Sequence, residues 1–359
     1  MVTTVVTGGG ILGLATAWRL AQASQTVTVT ERDALASAAT YASFGWLTSS
    51  SAIEPSVTYP LPYRELKVAG IAEYQRVARE LGDASWLHVS GHVEWDMAEG
   101  GPDRIQRKMV DLHSWGYSAE LLPVRDLASL EPDLTPPAGL EAFVYYPNEG
   151  YIDPGAFVGL LANQARELGT TIRTGVAVTG LLQERGRVTG VALTSGERIE
   201  ADTVVACAGI GTPGILGQVG MHLPMLHSVG LVAVTGSSSA RLRAVHHNEG
   251  MSIRPDGGGS RIIMRHWDFD AMVDVVTPTQ PHPPFVHDLL DRVVTVLPTL
   301  AGARVEAVRI AVRPIPGDHL PLVGYVPGVE GLYVMVGHGA TTHGLLVARL
   351  AAHEIAFGE

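Results

Sequence analysis

Three glycines near the N-terminus, Gly8, Gly10 and Gly13, stand in the run Gly8-Gly9-Gly10-Ile11-Leu12-Gly13. Their spacing suits contact with a pyrophosphate: Gly8 makes a tight turn, Gly10 lets backbone approach the phosphates, and Gly13 lets a helix pack closely on a strand. Eighteen residues beyond Gly13 comes Glu31, an acid placed to accept hydrogen bonds from both hydroxyls of an adenosine ribose and to repel a 2′-phosphate. The chemistry indicated is dinucleotide binding with NADP disfavoured. Rossmann units carry both FAD and NAD, so this unit alone leaves the two open.

These residues work only if a strand, a turn, a helix and a second strand hold them in register. Residues 2–7 form a β-branched run without polar alternation, as expected of a parallel strand buried on both faces. Residues 11–23 predict a helix with Leu14, Ala17, Trp18 and Ala21 along one buried stripe. Thr26–Thr30 reads as the second strand and ends at Glu31. The helix N-terminus then offers free N–H groups and a partial positive charge to the phosphates.

The same α/β pattern returns in pieces further along. Asp153-Pro154 is an N-cap followed by proline at the first helical position, and Gly169 lies just past the helix it opens. Residues 176–182, Arg187–Leu193 and Thr203–Ala206 read as strands, as do 305–313 and Leu332–Val336. Arg309, Ala311 and Arg313 alternate onto one strand face before Pro314 and Pro316. Gly337-His338-Gly339 breaks the last strand, and residues 344–357 read as a C-terminal helix.

Composition removes several function classes. The 359 residues carry 25 basic and 36 acidic side chains, a net charge of −11, which repels a nucleic-acid backbone. The apolar runs fall short of the roughly 20 residues a membrane helix needs, and the N-terminus lacks a signal peptide's basic region. Cys207 is the only cysteine, so no internal disulfide exists and a cytoplasmic location is expected. Cys207 is expected to pack inertly in a buried strand. His246 and His247 are adjacent and point to opposite faces of a strand, and no HExxH, paired CxxC or GxSxG is present, so neither a metal site nor a serine hydrolase is expected.

Taken together these segments resemble the D-amino-acid oxidase, glycine oxidase and sarcosine oxidase family of FAD-dependent amine oxidoreductases. Four blocks carry the resemblance: residues 5–31, 152–172, 201–209 and 311–355. The run from Ala201 to Gly209 resembles the family's strand beneath the dinucleotide. Arg313-Pro314, residues 318–324, Gly331-Leu332-Tyr333, His338 and Thr342 resemble its C-terminal signature. The fold implied is α/β: a Rossmann-type FAD-binding domain (1–50, 151–215 and 305–359) with an inserted β-rich substrate domain (51–150 and 216–304).

The resemblance also implies roles. Gly8, Gly10, Ile11, Leu12 and Gly13 would hold the pyrophosphate of FAD, and Glu31 and Arg32 the adenosine end. Ser43, Phe44, Gly45 and Trp46 fall where the family makes further phosphate and flavin contacts, Val178 where a strand backbone meets adenine, and Gly209 where the strand under the dinucleotide ends. The turn Gly337, His338, Gly339, Ala340, Thr341 and Thr342 would lie against the flavin's pyrimidine edge. Arg313, beside the cofactor, would grip a substrate carboxylate with its fork; the plainer alternative is an ion-pair arginine. His338, Trp46, Tyr63 and His266 are the other substrate-side candidates, His266 as part of Arg265-His266-Trp267 on a strand roofing the site.

Departures from the family are informative. No cysteine stands near the C-terminal turn and Trp46 is not histidine, so the FAD is expected to be non-covalent. Arg309 stands where relatives often have tryptophan, Ala311 where they often have glycine, and Ser252 where glycine oxidase has a carboxylate-binding tyrosine. The implied reaction is oxidation of an amine or amino-acid C–N bond to an imine, with oxygen as acceptor and hydrogen peroxide as product. A dehydrogenase using another acceptor, or a non-catalytic nucleotide-binding redox sensor, are the alternatives.

Overall fold

The β-branched run Thr3–Thr7 lies at the centre of a sheet, as its uninterrupted apolar character requires. The computed structural model describes residues 2–50, 59–256, 258–277, 279–280 and 282–358. Six strands form this sheet in the order Leu322–Tyr325, Leu332–Val336, Thr203–Ala206, Thr3–Thr7, Thr26–Thr30, Thr171–Arg173. All neighbours are parallel except the edge strand Leu322–Tyr325. Parallel neighbours need crossovers, and the helices Ile11–Gln22 and Pro154–Glu167 provide two of them. Asp153 caps the second, its carboxylate accepting from Gly155 N at 3.1 Å and Ala156 N at 3.2 Å.

The stripe expected on the first helix is buried, but so are Ile11, Ala15 and Leu20. This helix lies between the sheet and the C-terminal helix, so two faces are covered. The C-terminal helix spans Ala340–Phe357, four residues longer at its start than the sequence suggests, because Gly339 rather than Gly344 ends the turn, with φ +75°. Gly344 instead lies within the helix where a Cβ would come 3.1 Å from Leu12 of the first helix. The uncapped starts of the two helices are thereby neighbours.

A second, eight-stranded sheet runs Val305–Val312, Val229–Thr235, Arg261–His266, Met251–Asp256, Val245–Asn248, His92–Trp95, Ala142–Tyr146, Glu120–Pro123. Two boundaries differ from the sequence expectation. Val305–Val312 is an edge strand of this sheet and not of the parallel one. Residues 60–86, expected in the substrate domain, pack into the parallel-sheet core through Ile71, Tyr74, Val77 and Trp86. The reason is the helix Pro60–Leu81, whose Gly70 fits against the start of the C-terminal helix: a Cβ there would lie 2.5 Å from Thr342 O and 2.6 Å from His343 Cα. The expected boundary at residue 51 lies outside the described residues, as do Met1 and Glu359. Among the described residues, no helix is long and apolar enough to cross a membrane.

Candidate functional site

The glycine turn is packed too closely for other side chains. At Gly8, with φ +111°, and at Gly13 an added Cβ would overlap backbone, the carbonyl of Cys207 and of Gly8 respectively. Gly10 opens the first helix with no cap of its own; Ile11 N donates to Thr40 Oγ1 at 3.3 Å, and the amides that follow it in the first turn face an external anion. Glu31 accepts from Gly9 N at 2.7 Å and Asp33 N at 2.9 Å, which fixes its carboxylate at the end of the second strand. Arg32 is exposed and pairs with Asp33 at 3.0 Å. Val178 begins its strand on the same side of the fold, where residue 176 bonds back to Glu31 O.

The loop from Ser43 to Trp46 is stitched to the start of the C-terminal helix. Ser43 Oγ lies 3.0 Å from Thr341 Oγ1, Thr342 Oγ1 donates to Trp46 O at 3.1 Å, and Thr48 N donates to Thr342 Oγ1 at 3.4 Å. Gly45 has φ +78°, and a side chain there would overlap Ile152 O. Arg254, 1% exposed, donates from Nε to Phe44 O and lies over the Tyr151 ring at 4.8 Å. Burial lowers its pKa to about 10. Gly337 packs where a Cβ would be 2.9 Å from Pro321, and Tyr63 OH is 3.2 Å from the Cβ position of Gly339. These contacts bring Trp46, Tyr63, His338, Gly339 and Thr342 together from three distant parts of the chain. Gly209 begins a 3-10 turn two residues after the strand Thr203–Ala206 ends, at φ +55°.

The eight-stranded sheet faces this loop. Cross-strand partners share a face, and the register places Glu94 opposite His247, His247 opposite Ser252 and Ser252 opposite Arg265. Val232, Val234, Val245 and Ile263 on that face pack with Phe44, Tyr151 and Trp46. His247 Nδ1 and Ser252 Oγ are 2.9 Å apart, and the His247 ring lies 5.5 Å from Trp46. Burial pushes the His247 pKa down to about 3, which keeps the ring neutral.

Strand alternation removes one candidate and supplies another. His266 points to the opposite face, where its Nδ1 accepts from Asp268 N at 3.1 Å and its ring meets Phe269. Arg265, its neighbour, faces the loop. The fork of Arg313 is also not open. Its Nη1 donates to Ser228 Oγ at 3.2 Å and Val229 O at 3.0 Å, and its Nη2 to Asp270 Oδ2 at 2.5 Å. The plainer reading of Arg313, an ion-pair arginine, therefore describes its geometry. Arg309 lies over the Tyr41 ring at 4.5 Å, toward the loop.

His338 is exposed to solvent on the turn that ends the last parallel strand. The protein packed around it lowers its pKa, assisted by the positive charges of Arg313, Lys67 and Arg265. One cation comes from each of three elements, so His338 marks where they converge. His343, 1% exposed, is likewise lowered to about 3 by burial, with Lys67 and His338 adding to the shift.

Behind the loop lies a buried carboxylate that sequence reasoning missed. Glu149, with no exposure, accepts from Ser49 N at 2.8 Å, Ser50 N at 2.6 Å and Tyr117 OH at 2.9 Å, and lies 3.0 Å from His92 Nδ1. Burial pushes its pKa up, but the His92 contact and the Ser50 and Ser49 amides outweigh this and hold it at about 2. Local pattern offers no signal for it, because its partners lie 32 to 100 residues away.

The donor set fits a flavin dinucleotide. The N-cap residues of two neighbouring helix starts make no side-chain cap bond, Gly8 and Gly13 let strand, turn and helix close on one another, and Trp46 Nε1, Arg309 Nε and His343 Nδ1 are buried without a hydrogen-bond partner. Among the described residues, no group of three or more His, Cys, Asp or Glu is arranged to hold a metal ion.

Comparison with known proteins bears on this arrangement. Residues 3–357 match the family described as FAD dependent oxidoreductase (DAO). The chain is 27% identical to a glycine oxidase of Pseudomonas putida, over 93% of this chain and 88% of that protein. It is also 27% identical to a D-amino acid dehydrogenase of Methylobacterium nodulans, over 93% and 90% of the two. The solved glycine oxidase of Bacillus cereus superposes with a TM-score of 0.85 at 24% identity, covering 100% of this chain and 95% of that one.

Proposed function

The chain belongs to the FAD dependent oxidoreductase (DAO) family, and from that premise we propose that it oxidises the C–N bond of an amine or amino acid to an imine, with oxygen as acceptor. That it is an FAD-dependent oxidoreductase follows from the family match over residues 3–357. The observation that carries the site reading is the meeting of the Ser43–Trp46 loop with the start of the C-terminal helix, beside the uncapped start of the first helix.

In this reading Gly8, Gly10, Ile11, Leu12 and Gly13 bind the pyrophosphate, Glu31 the ribose, and Val178 the adenine. Arg32 and Gly209 flank the adenosine side. Residues 43–46 and 337–342 hold the flavin, non-covalently, with Arg313 at its edge. Bound flavin supplies a two-electron acceptor for the hydride leaving the carbon beside nitrogen. The protein's own part is orientation and exclusion of water. Helix-start amides at Ala340 and Thr341 stabilise negative charge developing opposite them, while the Thr342 amide is held by Gly339 O at 2.8 Å. His247, held neutral by burial, adds no positive charge that would oppose an incoming ammonium group. Trp46 and Tyr63 wall the space above the turn. The imine is released to hydrolysis by water.

We further propose a cytoplasmic location and small-molecule partners only, on the single buried Cys207 and the net charge of −11. The test is the absorbance of purified holoprotein during anaerobic addition of glycine, sarcosine, D- and L-amino acids and carboxylate-free amines. Bleaching by one of them supports the reading, and bleaching by none overturns it. Rapid return of colour in air identifies an oxidase, whereas slow return identifies the dehydrogenase chemistry named for the Methylobacterium relative.

A further inference from the structure

Asp270 ends the short helix Trp267–Asp270 directly after the strand that carries Arg265. It is 11% exposed, and Arg313 is 24% exposed. Its two oxygens are both used: Oδ2 accepts from Arg313 Nη2 at 2.5 Å and Oδ1 from Leu231 N at 2.7 Å. Asp270 is thus pinned to a strand amide and to the guanidinium at once, and cannot swing aside without losing both bonds. On Arg313, the Nη1 donors go to Ser228 Oγ and Val229 O. Gly230 makes the posture possible, since the guanidinium of Arg313 lies across it where any Cβ would stand. Three of the five guanidinium donors are thus spent, so an amine's own carboxylate reaching the Nη2 side would compete with Asp270, and displacing it would leave that charge buried without its partner, which is costly. Across the face, Ser252 offers only a short hydroxyl, already within hydrogen-bond distance of His247 Nδ1.

We propose that Asp270 is a built-in carboxylate that occupies Arg313, and that the site therefore takes amines with no carboxylate on the carbon beside nitrogen. The inference rests on the reading of this site as amine-oxidising. Asp270 is a specificity-determining residue, and Arg313 is a strut that closes the edge of the site.

The experiment uses holoprotein, wild type and Asp270→Asn, with acetate and benzoate as probes read by perturbation of the flavin spectrum and by thermal shift. Asparagine keeps the shape and the Leu231 contact while removing the charge. The expected result is that Asp270→Asn binds the anions at least about tenfold more tightly than wild type, as a freed charge-assisted donor should. The gain should vanish in Asp270→Asn/Arg313→Gln. Paired amines are then compared anaerobically, dimethylamine with sarcosine and benzylamine with phenylglycine. Wild type should favour the carboxylate-free member, and Asp270→Asn should shift the ratio toward the carboxylate. Equal anion affinity in the two proteins, or a wild-type preference for the carboxylate members, overturns the proposal. A gain in anion binding with no amine bleaching either protein overturns the amine reading while leaving the occupancy of Arg313 standing. Should the variant lose its flavin, tight saturable binding of acetate by wild type alone overturns the occupancy, and failure of acetate to bind supports it.

Discussion

Thr342 Oγ1 donates to the carbonyl oxygen of Trp46 at 3.1 Å, across 296 residues of sequence. The same hydroxyl accepts from Thr48 N at 3.4 Å, so one buried side chain joins the start of the C-terminal helix to the loop that walls the proposed flavin site. Replacing it by valine keeps the volume but leaves a buried carbonyl and amide unpaired. Thr342→Val should cost about 1–3 kcal/mol of stability and weaken FAD. Urea unfolding of the holoprotein and titration of apoprotein with FAD measure both, and Thr342→Ser should retain most of each.

Gly70 provides a test of sign. In an exposed helix, glycine to alanine stabilises by about 1 kcal/mol. Here the new Cβ would stand 2.5 Å from Thr342 O and 2.6 Å from His343 Cα, backbone atoms that cannot turn away. Gly70→Ala should therefore destabilise, by about 1–3 kcal/mol, and a raised melting temperature would refute this account of the helix crossing.

Gly13 lies where any side chain overlaps the Gly8 carbonyl. Gly13→Val should push the first helix away from the strand and lower FAD affinity by at least about tenfold. Protein that purifies colourless and regains flavin absorbance only at high added FAD would agree, and wild-type flavin content would not.

Glu149 ties stability to pH. Its folded pKa of about 2 lies below the ordinary 4.5. The contribution is therefore fully present above pH 4.5 and is lost as pH falls toward 2, and the shift corresponds to roughly 3 kcal/mol. Wild type should lose stability over that window more steeply than Glu149→Gln, which starts lower at pH 7 because the Ser49 and Ser50 amides face a neutral acceptor. Parallel denaturation curves at pH 7 and pH 3 for the two proteins would contradict the assignment.

Much of the first unit was legible from residues alone. Gly8, Gly10, Gly13 and Glu31 sit within one local strand–turn–helix–strand, and local periodicity specifies such a unit. The parallel strands Thr203–Ala206 and Leu332–Val336 and the capped helix after Asp153 were readable for the same reason. The start of the C-terminal helix was not, because Gly344 looks like a turn residue and is in fact a contact residue for Leu12. The facing of Arg265 and His266 depends on which side of their strand meets Phe44 and Trp46, and alternation names two faces without saying which is which.

By itself, then, the sequence determined a dinucleotide-binding α/β chain whose ordered blocks resemble FAD-dependent amine oxidoreductases. Only the tertiary structure decided that Arg313 meets Asp270, that Glu149 gathers the Ser49 and Ser50 amides, and that the helix Pro60–Leu81 packs with the parallel sheet. Each is a pairing between residues dozens to hundreds of positions apart. Turn chemistry and periodicity act over a few residues, whereas these pairings exist only once segments far apart in the chain pack together.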